Sequence, residues 1–182
     1  MKQRPVDKVF LVGFMASGKT KLGRALAGRL GWPFLDTDSA VEASQGRSVA
    51  AIFEREGEAR FRRLEARAVA HAARRSRLVV SVGGGAVLDP ANVAAMRRTG
   101  VVVYRHASLE AIFERGERHG EERRPLWKGR TRQERLRNVR RLYLERRSLY
   151  RRAAHLSFRT EGDPDRVSER LLRRLRGEGW VR

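Results

Sequence analysis

The segment Gly13-Phe14-Met15-Ala16-Ser17-Gly18-Lys19-Thr20 constrains this chain more than any other. It fits G-x-x-x-x-G-K-[ST], a loop that joins a buried strand to a helix. Glycines let successive backbone N–H groups turn inward around an anion, and the following helix presents its positive N-terminus to the same anion. Lys19 adds a point charge for the β- and γ-phosphates, and Thr20 a hydroxyl for Mg²⁺. Gly13, Ala16, Ser17, Gly18, Lys19 and Thr20 are therefore the expected contacts of a nucleoside triphosphate. The flanks agree. Val9-Phe10-Leu11-Val12 is a continuous apolar run, as in a strand covered on both faces. Leu22, Ala25, Leu26 and Leu30 recur at helical spacing over Lys19 to Leu30.

Beyond the loop, short β-rich runs alternate with helical stretches, which predicts an α/β fold with a parallel sheet. Pro33-Phe34-Leu35 reads as a second strand ending in Asp36, and Val49 to Arg74 as a long helical region interrupted near Gly57. Leu78 to Val82 is a third strand and Val101 to Tyr104 a fourth. Asp89-Pro90 reads as a cap with proline at the first helical position, opening a helix to about Arg98. Further helices are expected over Leu109–Glu117, Gln133–Ala154 and Pro164–Arg176, with Leu156-Ser157-Phe158 as a weak fifth strand. No linker or repeat divides the 182 residues, so one domain is expected over 1–182.

Composition excludes several chemistries. There is no cysteine, hence no disulfide framework, thiolate metal site or cysteine nucleophile. The four histidines, His71, His106, His119 and His155, form no H-x-x-x-H pair. No apolar run approaches the ~20 residues of a membrane span. The basic start runs directly into the first strand, so a signal peptide is not expected and a cytoplasmic protein is. The net charge of +20 comes from 41 Lys and Arg against 21 Asp and Glu. Such a surface attracts polyanions. Arginine makes up 36 of those 41 cations, 21 of them after position 110, which reads as compositional bias on solvated helix faces. No specific nucleic-acid partner and no membrane partner are expected.

Three further motifs carry chemistry. Asp36-Thr37-Asp38 closes the second strand, at the end where open α/β sheets bind ligands. Two carboxylates spaced i, i+2 can divide labour there, one serving Mg²⁺ and one facing an acceptor hydroxyl. The competing reading makes Asp38 a helix N-cap. Gly83-Gly84-Gly85 lets a ligand touch the backbone, whose N–H groups can bind an anionic oxygen; a flexible turn is the alternative. Arg124-Pro125-Leu126 lies in a polar stretch over 118–130 suited to a mobile lid that brings positive charge to a transferring phosphoryl group, although this chain has arginines everywhere.

These motifs, in this order and spacing, resemble the shikimate kinase family over nearly the whole chain. Asp36 and Asp38 match the family's D-x-D, and Phe61-Arg62-Arg63-Leu64-Glu65 its F-R-x-x-E. Gly83 to Gly85 match its glycine triplet, Arg124-Pro125-Leu126 its lid, and Arg146-Arg147-Ser148-Leu149-Tyr150 its R-x-P-L-Y. Arg60 stands where an acidic residue is usual and Ser148 where proline is. The resemblance implies a three-layer α/β/α P-loop kinase fold of the nucleoside monophosphate kinase type, with a five-stranded parallel sheet in the order 2-3-1-4-5. It implies transfer of the ATP γ-phosphoryl to the 3-hydroxyl of shikimate. Asp38 would hold the shikimate hydroxyls and act as, or orient, the base. Arg62 and Arg146 would clamp the carboxylate, with Gly83, Gly84 and Gly85 assisting. Thr20 and Asp36 would serve Mg²⁺, Lys19 and Arg124 the phosphoryl group, and Arg115 the adenine. Phe53 and Phe61 would wall the ring or simply pack in the core. The acceptor would bind in a helical region of about 37–70, and the enzyme would act as a monomer. Two rivals remain: another small-molecule kinase of this fold, for a sugar acid or nucleotide, and a nucleotide-dependent nucleic-acid binder.

Overall fold

The computed structural model describes residues 5–118, 127, 129–159 and 162–182. Five strands form one parallel sheet: β1 Lys8–Val12, β2 Phe34–Asp36, β3 Leu78–Ser81, β4 Val101–His106 and β5 Leu156–Arg159. Their order is β2-β3-β1-β4-β5, as expected. The helices are α1 Lys19–Leu30, α2 Thr37–Gln45, α3 Val49–Arg74, α4 Pro90–Thr99, α5 Leu109–Arg118, α6 Arg132–Ala153 and α7 Pro164–Gly177, with a 3₁₀ turn at Ala86–Leu88.

The apolar run of β1 is unbroken because the strand is central and covered on both sides. Val9, Phe10, Leu11 and Val12 are all buried. Alternation then divides the core. Val9 and Leu11 pack with Val79, Val101 and Val103 against Leu22 and Leu26 of α1 and Leu171 and Leu175 of α7. Phe10 and Val12 pack with Val80, Val102 and Tyr104 against Val69 of α3, Met96 of α4 and Val139 of α6. These are the three layers. A smaller cluster of Val41, Ile52, Phe61 and Leu64 joins α2 to α3.

Local chemistry sets the helix ends. Gly31, at φ +63°, closes α1 and donates its N–H to Ala27 and Gly28 carbonyls. Asp89 caps α4 with Pro90 behind it, as read from the sequence. Thr131 and Glu134 form a reciprocal capping box on α6. The expected break in α3 is Gly57, at φ +79° and ψ 170°.

Two differences matter for function. A nine-residue helix, α2, follows β2 with no intervening loop, and its cap is Asp36 rather than Asp38. A cap residue needs extended backbone, which Asp36 has as the last residue of β2 (φ −107°, ψ 124°); Asp38 is already in the first helical turn. In addition, β4 runs two residues past Tyr104, because Arg105 and His106 pair with Phe158 and Arg159 of β5.

Candidate active site

All five strands point the same way, so their C-terminal ends bring the loops after β1, β2, β3 and β4 together. The loop after β1 has the backbone its motif demands. Gly13, Ala16 and Gly18 have φ of +148°, +54° and +86°. A Cβ on Gly13 would lie 2.4 Å from the Arg105 carbonyl oxygen. Ala16 is one of two non-glycine residues at positive φ among those described, and such strain concentrates at functional loops. Lys19 is almost fully buried, and its Nζ donates to the Gly13 and Phe14 carbonyls at 2.9 Å each. Those bonds fold its ammonium back across the loop. Ser17 is buried beside Gly13.

The loop's hydroxyl and the first carboxylate are adjacent. Thr20 Oγ1 donates to Asp36 Oδ2 at 2.8 Å and lies 3.5 Å from Ser81 Oγ. Asp36 Oδ1 meanwhile accepts from the N–H groups of Asp38 and Ser39, at 3.1 and 3.4 Å. Asp36 thus does two jobs with its two oxygens. The cluster is oxygen-only, as a hard dication prefers, and among the described residues no group of three or more His, Cys, Asp or Glu gathers anywhere. One or two carboxylates with substrate phosphates and water is the usual setting of Mg²⁺.

The glycine triplet after β3 is the hinge of the site. None of the three sits at positive φ; close approach is what requires Gly83 and Gly85. A Cβ on Gly83 would collide with Glu65 Oε1 and Asp38 Oδ1, and one on Gly85 with the Arg62 guanidinium, whereas one on Gly84 would make only ordinary contact with Met15 of the P-loop. Gly83 donates its N–H to Thr37 Oγ1 at 2.9 Å, and the Gly84 carbonyl accepts from Tyr150 Oη at 2.5 Å. The Gly83 N–H is therefore engaged within the protein.

A pocket opens on this triplet, walled by Phe53 and Phe61, with Asp38, Arg62, Glu65 and Arg146 supplying its charge. Arg62 lies over the Phe61 ring at 5.3 Å and donates from Nη1 to Glu65 Oε2 at 2.6 Å and from Nη2 to Glu58 Oε1 at 2.8 Å. Arg146 reaches the pocket from α6 and is buried. Glu65 is buried as well; burial pushes its carboxyl up to about 7, against the pull of Arg62. Asp38 lines both this pocket and the neighbouring cavity that holds Lys19, Thr20 and Asp36.

A third cavity, of about 480 Å³, continues from Gly18, Lys19 and Thr20 towards Arg115, Gly162 and Pro164. Arg115 is thus on the outer side of the P-loop. Arg124 and most of the 118–130 stretch lie outside the described residues. Three residues of the site carry no role in the sequence reading. Glu65 stands one helical turn after Arg62, a spacing that puts both on one face. Tyr150 ends the segment matched to R-x-P-L-Y, which marks it without giving its bond to Gly84, and Arg105 looks like the polar end of an apolar run.

Comparison with known proteins gives a consistent result. A family model described as shikimate kinase matches residues 15–176. A shikimate kinase of Symbiobacterium thermophilum is 48% identical over 153 residues, 84% of this chain and 86% of that protein. One from Salinibacter ruber is 41% identical over 174 residues, 92% of this chain and 82% of its own length. Among solved structures, the shikimate kinase of Acinetobacter baumannii in complex with shikimate is similar at a TM-score of 0.85 and 33% identity, covering 94% of each chain.

Proposed function

This chain belongs to the shikimate kinase family of ATP-dependent kinases, and we propose on that premise that it phosphorylates the 3-hydroxyl of shikimate. One observation carries the assignment of parts. Asp38 stands on the boundary between the phosphate-side cavity and a pocket that holds two arginines. A hydroxyl bound in the pocket can therefore meet a phosphoryl group held on the P-loop. The acceptor oxygen forms a bond to the γ-phosphorus while the bond to the bridging oxygen of ADP breaks. Asp38 accepts the hydroxyl's hydrogen bond and takes its proton.

The remaining roles follow from charge and position. Arg62 and Arg146 take the substrate carboxylate, with the Gly84 and Gly85 N–H groups beside them; guanidinium–carboxylate pairs fix orientation as well as charge. Arg62 exchanges its bonds to Glu58 and Glu65 for this contact. Lys19 leaves the Gly13 and Phe14 carbonyls to meet the β- and γ-phosphates. Asp36 and Thr20 are the residues that would hold Mg²⁺, whose chemistry is to neutralise charge on the phosphate oxygens. Arg124, assigned from its R-P-L motif alone, adds charge to the group in transit from a lid over 118–130. Catalysis here is mainly positioning and electrostatics.

Steady-state kinetics of Arg62→Ala and Arg146→Ala test the carboxylate clamp. Each should raise the KM for shikimate about tenfold or more, the worth of a charged hydrogen bond, and leave the KM for ATP within about twofold. Unchanged shikimate kinetics in both would refute the clamp and point to a different acceptor.

A further inference from the structure

Arg105 has no part in the chemistry above, yet it occupies a demanding position. Tyr104 pairs with Val12 across β4 and β1, so the next residue of β4 lands beside the first residue of the P-loop. The Arg105 guanidinium lies against Gly18. A Cβ there would stand 2.8 Å from Nη1, 3.0 Å from Cζ and 3.1 Å from Nη2. That places the cation over the N-terminus of α1. The residue is 7% exposed, and its Nε and Nη1 are buried without a hydrogen-bond partner among the described residues.

Among the described residues no carboxylate pairs with it. The cavity it borders is lined by Lys19, Lys21, Arg105, Arg115 and Arg118, with no carboxylate among its described lining residues. Burial and the neighbouring Arg115 press its proton affinity down to about 10, so it stays charged at neutral pH at an energetic cost. Buried donors without acceptors are uncommon, and at a functional site they indicate an absent partner. Five cations lining one cavity beside the P-loop suit an anionic ligand.

We infer that Arg105 is a nucleotide-binding residue whose guanidinium takes the α-phosphate of ATP and ADP. The inference rests on the reading that the P-loop cavity holds ATP. Lys19 serves the β- and γ-phosphates from the inner side of the loop. The cavity leads outward to Arg115, Gly162 and Pro164, where a base would lie. Arg105 stands between these ends, against Gly18, where the α-phosphate links them. Gly18 then has two requirements: a left-handed backbone, and room for this arginine.

The test is ligand titration by calorimetry on Arg105→Met, Arg105→Gln and Arg105→Lys beside the wild-type protein, with ADP, AMP and shikimate as ligands. Met and Gln keep the volume and remove the charge; Lys keeps the charge. In the Met and Gln variants the Kd for ADP and for AMP should rise about tenfold or more, with the Kd for shikimate unchanged. The Lys variant should recover most of that loss. The unliganded Met variant should melt no lower than wild type, since an unpaired buried cation has been removed. Unchanged ADP affinity in the Gln variant would overturn the proposal, as would equal losses for ADP and shikimate, or a Lys variant no better than Gln. Weakened ADP with unchanged AMP would overturn the α-phosphate assignment. Wild-type protein that bound no ADP would refute the nucleotide reading itself, and this proposal with it.

Discussion

At the scale of single residues, the pocket beside the glycine triplet sets carboxylates and guanidiniums against one another. Glu65 shows the consequence. Its carboxyl is buried, and that desolvation outweighs Arg62 and moves it up to about 7 from an ordinary 4.5. Between those values the unfolded chain has released a proton that the folded protein keeps, so stability falls as pH rises from about 4.5 to about 7 and levels off above. Glu65→Gln removes this dependence. Urea unfolding at intervals from pH 5 to pH 8 should show the wild-type protein losing ground to the variant across that window. A constant difference between the two would mean that Glu65 ionises in the pocket as it does in water. The Arg62–Glu65 spacing was readable from sequence; the shift was not, because it depends on Gly83 bringing backbone against both acids.

At the scale of elements, the junction of β2 and α2 joins stability to chemistry through one side chain. Asp36 caps α2 with Oδ1 and receives Thr20 with Oδ2. Asn also caps well, whereas Ala does not. Asp36→Asn should therefore hold stability within about 0.5 kcal/mol while Asp36→Ala loses about 1 kcal/mol, the usual worth of a cap. Both should lower kcat, because the charge that would serve Mg²⁺ is gone from each. Equal stability losses by chemical denaturation would show that the charge, not the cap, matters to the fold. The same junction marks where sequence reasoning stopped. The strands and α1 declared themselves through long apolar runs and helical spacing. A helical region from about residue 37 was expected, but Thr37–Gln45 buries only Thr37 and Val41, too few for a period, so it was not separated from α3, and Asp36 was not read as its cap because it also ends β2. Arg105 was missed for a related reason: the strand outlasts its apolar run, and only pairing with β5 reveals it.

At the scale of the whole molecule, a parallel sheet gathers four loops at one end and three contiguous cavities follow. One is lined by Lys19, Thr20 and Asp36, one extends towards Arg115 and Pro164, and one holds two arginines beside Asp38. The net charge of +20 belongs only in part to this arrangement, since most of the arginines lie on helices away from it. The fold was legible in the order of the motifs, and Asp38, Arg62, Arg146, Phe53 and Phe61, named from the family resemblance, line one pocket; the buried Glu65 joins them only once α3 packs against the glycine triplet. What that pocket accepts decides the function. ADP release from Mg·ATP should be measured with shikimate, quinate, gluconate and nucleoside monophosphates as acceptors. Strong stimulation by shikimate is expected, little by the others, and loss of that stimulation by about 10²-fold or more in Asp38→Asn. No stimulation by shikimate, with turnover on another acceptor, would contradict the proposed function.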